Sequence, residues 1–98
     1  MKVTSSKNGS TCTLTVEGKI DTITAPELDE AVKSNLPKCD KMIFDFTNVE
    51  YITSAGLRVL VYAHRELMKK GGVTVTGVNE GIKKIFTVTG MYKVLKIK

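Results

Sequence analysis

Lys41-Met42-Ile43-Phe44-Asp45-Phe46, followed by Tyr51-Ile52-Thr53-Ser54-Ala55-Gly56-Leu57-Arg58-Val59-Leu60, is the stretch that decides the fold. Met42–Phe46 is apolar on both faces and reads as a central strand covered on both sides. The second part opens a helical periodicity that continues to Lys70. Leu57, Leu60, Val61, His64, Leu67 and Met68 recur every three or four residues as an apolar stripe, and Arg58, Tyr62, Arg65 and Lys69 fall on a basic face. Gly71-Gly72 stops the helix. Ser54 therefore stands where a loop becomes a helix, beside free backbone N–H groups and the positive end of the helix dipole. A hydroxyl there serves as an N-cap, or accepts a phosphate that the helix end stabilises.

Upstream, Thr11–Glu17 alternates with Cys12, Leu14 and Val16 on one face, and Asn8-Gly9 is a turn signal before it. Residues 2–18 thus read as a hairpin whose first strand, near Lys2–Ser6, has only Val3 as a clear apolar residue. Gly18–Ile23 reads as a loop. Thr24 and Glu27 have capping-box spacing, and Pro26 suits a first helical turn. Leu28, Ala31, Val32 and Leu36 carry this helix to Pro37, which disfavours helical geometry at Leu36. Downstream, Val73–Thr76 is a β-branched strand. Asn79 caps a last helix with Ile82, Ile85 and Phe86 inward and Gly90 at its end. Val94-Leu95-Lys96-Ile97 reads as a short strand or an ordered tail. The order ββαβαβα, with that terminal segment, predicts an α/β layered fold: a mixed sheet with helices packed on it, as a single domain over residues 1–98.

A chain of 98 residues holds one core and leaves little room for a deep substrate cavity. No apolar run approaches the ~20 residues of a membrane-spanning helix. The first residues, Met1–Ser6, contain no apolar signal region, so a cytoplasmic protein is expected. Cys12 and Cys39 stand apart in the sequence, and reduced thiols are expected of them; Cys12 falls on the core face. The net charge of +5 invites a nucleic-acid reading. The lysines, however, are scattered with no run beyond two and no interleaved aromatics, which fits a solvated surface facing an acidic protein partner.

Enzyme chemistry finds no support. Ser54 and His64 lie ten residues apart on one helix, ~15 Å along its axis, too far for a nucleophile and its base. Asp45 completes no triad with them. No metal-ligand spacing arises from one histidine and two separate cysteines. The Gly77–Lys84 segment lacks the spacing of a phosphate-binding loop. No cofactor is implied. At Ser54 itself, the first turn Ala55-Gly56-Leu57 has no acidic side chain, Leu57 stands where a capping box places Glu or Gln, Gly56 removes bulk, and Arg58 lies one turn on. A plain cap and a phosphoacceptor both remain open on these residues alone.

Four segments, spanning nearly the whole chain, resemble the STAS domain of bacterial anti-sigma factor antagonists. Gly18-Lys19-Ile20-Asp21-Thr22-Ile23-Thr24-Ala25 is similar to the family's Gly-x-Leu-Asp loop with Thr-Ala opening the first helix. Phe44–Val49 is similar to its central strand and turn. Thr53-Ser54-Ala55-Gly56-Leu57 is similar to its Asp-Ser-Ser/Ala-Gly-Leu phosphorylation loop, with Thr53 where many members carry Asp. Thr89–Val94 is similar to the family's Gly-Leu-x-x-Val/Ile ending. The resemblance implies partner switching without catalysis. The unphosphorylated protein, a monomer when free, sequesters an anti-sigma factor that is also a serine kinase. Phosphorylation of Ser54, with Thr53 as the rival acceptor, releases it, and a PP2C-type phosphatase resets the switch. The implied contact surface comprises Asp21, Thr24, Thr53, Ser54, Ala55, Gly56 and Arg58, with no membrane and no direct nucleic-acid role. The alternative is a STAS scaffold subunit, for example in lipid transport, in which Ser54 is only a cap.

Overall fold

The sheet starts as a hairpin. β1 (Lys2–Asn8) pairs antiparallel with β2 (Thr11–Ile20), and the register Asn8↔Thr11 leaves Gly9 and Ser10 as the loop. Gly9 takes φ 64, a conformation strained for residues with a Cβ. In this computed structural model, which describes residues 1–98, α1 (Ala25–Asn35) then leads through a 3₁₀ turn at Leu36–Lys38 into β3 (Lys41–Ile52). α2 (Ser54–Leu67), β4 (Gly72–Thr76), α3 (Glu80–Thr89), a second 3₁₀ turn (Met91–Lys93) and β5 (Lys96–Ile97) complete the chain. β2, β3, β4 and β5 run parallel in the order β1-β2-β3-β4-β5. The mixed sheet and the element order are those expected, and the terminal segment contributes a two-residue strand.

The coverage of the sheet differs from expectation. Strand order advances in one direction, and right-handed crossovers then stack successive helices on one face. Burial follows: Cys12, Leu14, Val16, Met42, Phe44, Phe46, Val73 and Val75 point into the core, while Thr13, Thr15, Ile43 and Asp45 are only half-buried. Met42–Phe46 is thus covered fully on one side. Ile43 alone made its other face look apolar, and there it sits between Thr13 and Thr74. Phe44 and Phe46 meet edge to face, and with Leu14, Leu60, Ile82 and Phe86 they are among the largest buried side chains of the core.

Several boundaries also move. β2 continues through Gly18 to Ile20, replacing the expected loop start. The last turn of α2 tightens after Leu67, where Lys70 N–H donates to the Leu67 carbonyl, so the helix ends three residues before Lys70. Leu36 stays helical despite Pro37, because the chain passes into a 3₁₀ turn and not into a strand. On α2, Leu57, Leu60 and Leu67 are buried as expected, but Val61 and His64 are half-buried and Met68 is exposed. Val59 and Ala63 are buried instead, because α2 packs against α1 as well as the sheet. Asn79 caps α3 by accepting from Ile82 N–H at 2.9 Å, and its amide donates to the Val49 and Glu50 carbonyls at 3.1 and 3.0 Å. Gly90 closes α3 in the left-handed region at φ 76.

The two cysteines, distant in sequence, meet in the core. Both thiols donate to the Asn35 carbonyl, Cys39 at 3.2 Å and Cys12 at 3.9 Å. Burial first and the Cys12 thiol second push the Cys39 thiol up to about 11.

Candidate functional site

The site is built where β2 and β3 end side by side. β3 carries two register shifts against β2, after Thr15 and after Gly18. Its buried positions change spacing there from every second residue to every third: Phe46, Val49, Ile52. Bulges twist a strand and re-aim its side chains. Here they expose Tyr51, over whose ring Lys19 Nζ lies at 5.9 Å, and turn Ile52 inward. The last strand bond passes from Thr53 N–H to the Ile20 carbonyl at 2.9 Å. From this point β2 runs into the Asp21–Thr24 loop and β3 into α2.

The loop is held by one carboxylate. Asp21 Oδ1 accepts from Ile23 N–H at 2.9 Å, Thr24 N–H at 3.0 Å and the Thr24 hydroxyl at 3.2 Å. The Thr24 hydroxyl also lies 2.8 Å from the Lys19 carbonyl and accepts from Asp21 N–H at 2.9 Å. The expected capping box is therefore absent. Thr24 is the N-cap of α1 by position, but its backbone is already helical and its side chain is spent on the loop. These bonds, led by that from Thr24 N–H, hold the Asp21 carboxyl below its ordinary value. They also present Ile23 to solvent, 85% exposed, a residue legible from sequence only as a loop position.

The start of α2 needs a one-residue correction. Thr53, in extended geometry, is the N-cap, and its carbonyl accepts from Leu57 N–H at 3.1 Å. Ser54 occupies the first helical position and is exposed, so it is not the cap. Thr53 makes no side-chain cap bond. Its Oγ1 is buried and has no hydrogen-bond partner. No acidic side chain lies in the first turn, which leaves its N–H groups and dipole uncompensated. Ala55 is half-buried, and Arg58 is exposed one turn beyond Ser54. Gly56 is buried for a reason the sequence did not disclose: a Cβ there would lie 2.5 Å from Ile20 Cγ2 and 2.6 Å from Ile52 Cγ1. The glycine seats the first turn of α2 directly on the ends of β2 and β3. Asp21, Thr24, Thr53, Ser54, Ala55 and Gly56 are thus gathered at one end of the sheet, with Arg58 on the adjoining helix face.

Elsewhere, Asp45 is engaged locally, accepting from Thr47 N–H at 3.0 Å and the Thr47 hydroxyl at 2.6 Å, which lowers its carboxyl pKa. No cluster of three or more His, Cys, Asp or Glu side chains forms, and no helix is long and apolar enough to cross a membrane.

A five-stranded sheet with helices on one face, and a serine exposed at a helix start beside an Asp-x-x-Thr loop, define a recognisable class. The STAS domain profile matches residues 2–98, and the chain belongs to that family. Among its relatives, the anti-sigma-B factor antagonist of Listeria monocytogenes is 32% identical over 85 residues, covering 85% of this chain and 75% of that protein. An anti-sigma factor antagonist from Mycobacterium paratuberculosis superposes with a TM-score of 0.89 at 24% identity, over 98% of this chain and 83% of the other. The anti-sigma factor antagonist SpoIIAA in its unphosphorylated form superposes with a TM-score of 0.84 at 14% identity, over 99% and 88%.

Proposed function

We propose that this chain is a cytoplasmic anti-sigma factor antagonist, bound to an anti-sigma factor with serine kinase activity while Ser54 is unmodified and released when Ser54 is phosphorylated. A PP2C-type phosphatase restores the binding form. The observation that carries the reading is the contrast between neighbouring hydroxyls. Ser54 is exposed at the first position of α2, whereas Thr53 Oγ1 is buried. A kinase reaches the first and not the second. The relatives' names support the antagonist role, and the structural neighbour SpoIIAA also exists in a phosphorylated form.

The physics of the switch is local. A phosphate adds about −1.5 to −2 charge and three acceptor oxygens. On Ser54 it meets uncompensated N–H groups and no carboxylate of the first turn. The same charge falls within the surface formed by Asp21, Thr24, Ala55, Gly56 and Arg58, where a partner must displace water from it. A desolvated, unmatched charge costs ~2–4 kcal/mol, roughly thirty- to a thousand-fold in affinity.

With the kinase and ATP, the chain should gain one phosphate, placed on Ser54 by fragment mass spectrometry. Ser54→Ala should bind constitutively and Ser54→Asp weakly. Phosphate on Thr53 alone would contradict the burial argument. Equal binding by all three forms would favour a scaffold subunit with no switch.

A further inference from the structure

The outward side of α2 carries a groove of about 430 Å³ that shares Arg58 with the surface around Ser54. Leu57, Val61 and Tyr62 of α2 and Met91 of the second 3₁₀ turn form its apolar lining, and Arg58 and Arg65 flank it. The two arginines are exposed and seven residues apart, hence on one helix face and about 10.5 Å apart along the axis. Neither is paired: the three ion pairs of the chain, Lys33–Asp29, Lys70–Asp40 and Lys83–Glu80, all use lysines. Two free guanidiniums beside an apolar trough, on a chain of net charge +5, fit an occupant that brings carboxylates at the same spacing with an apolar residue between them. An amphipathic helix repeats on one face every seven residues and meets that spacing without strain.

We propose that this groove receives an acidic amphipathic helix of the anti-sigma partner, with carboxylates two turns apart on Arg58 and Arg65 and an apolar side chain between Val61 and Met91. The partner's identity rests on the function proposed above; the groove's preference for an acidic helix does not. The site also reads the phosphate. Ser54 precedes Arg58 by four residues, so the two side chains are neighbours on the helix surface. A phosphate on Ser54 takes the Arg58 guanidinium and repels the carboxylate that Arg58 would otherwise hold.

The test uses a synthetic end-capped helical peptide with glutamates seven residues apart and leucines between them, and a control with lysines in place of the glutamates. Titrated into ¹⁵N-labelled protein, the acidic peptide should shift Leu57, Val61, Tyr62 and Met91, and more weakly as salt rises. Arg58→Gln and Arg65→Gln, both on exposed helix surface, should each weaken it roughly two- to five-fold. Ser54→Glu should weaken it about as much as Arg58→Gln, and the two together no more than either alone. Equal binding of both peptides, shifts elsewhere, no binding at millimolar peptide, or indifference to the arginine variants would overturn the proposal. No kinase enters this measurement. A chain that is phosphorylated and released by its kinase but ignores the acidic helix refutes the groove alone. A chain that takes the helix but is never phosphorylated refutes the switch alone.

Discussion

Gly56→Ala sets two effects of opposite sign against each other. Alanine is the better helix former by about 0.8–1.0 kcal/mol in a helix interior, and by less in a first turn. Against this, the new Cβ would stand 2.5 Å from Ile20 Cγ2, 2.6 Å from Ile52 Cγ1 and 2.9 Å from Ile52 Cδ1. Both isoleucines are essentially fully buried, and their β-branching restricts χ1. They also end adjacent paired strands, so neither yields without moving the sheet. Forcing a methyl into such a core costs about 1–3 kcal/mol. The clash wins, and a net destabilisation of ~1–2 kcal/mol is expected. With a urea m-value of about 1–2 kcal/mol/M, the unfolding midpoint should fall by roughly 0.5–2 M. The amide resonances of Ser54 and Ala55 should move with it, because the first turn can no longer sit on Ile20 and Ile52. A midpoint that is unchanged or raised, with Ser54 undisturbed, would show that this turn is not seated as described.

Leu60→Ala, at a fully buried position, should cost about 2–5 kcal/mol in chemical denaturation. Thr53→Val should be neutral or stabilising by up to ~1 kcal/mol, since it removes a buried hydroxyl that bonds to nothing; a large loss of stability would mean that the hydroxyl has a partner. Asp21 should titrate below 3.8 by NMR, because its folded pKa is lowered. Its contribution to stability is therefore present above that ordinary value and lost as pH falls through the folded one. Asp21→Asn should flatten this part of the acid limb, and an Asp21 midpoint at or above 3.8 would contradict the loop's hydrogen bonds.

Periodicity reached the elements whose residues face one environment. The alternation of Thr11–Glu17, the Asn79 cap and the Gly90 stop all appear where local chemistry predicts them. It failed where an element answers to two neighbours. Val59 and Ala63 are buried because α1 lies against α2, and no spacing within α2 reveals that. The bulges of β3 depend on its register with β2, so the apolar run Met42–Phe46 gives no sign that the strand continues to Ile52. Thr24 has the composition of a capping box, yet its hydroxyl is taken up by the Lys19 carbonyl and by Asp21. For the candidate site, the residue types around Ser54 were legible. Which hydroxyl is exposed, and what Gly56 touches, depend on the approach of two strand ends.

The meeting of Cys12 and Cys39 provides an intrinsic gauge of local opening. Both sulfurs are shut off from solvent at the end of β3 opposite Ser54, between β2, the last turn of α1 and the 3₁₀ turn. A thiol reagent reaches them only when these pieces part, so its labelling rate tracks that opening. Comparing the rate before and after phosphorylation at Ser54 would show, with no introduced label, whether a charge at one end of the molecule is felt at the other.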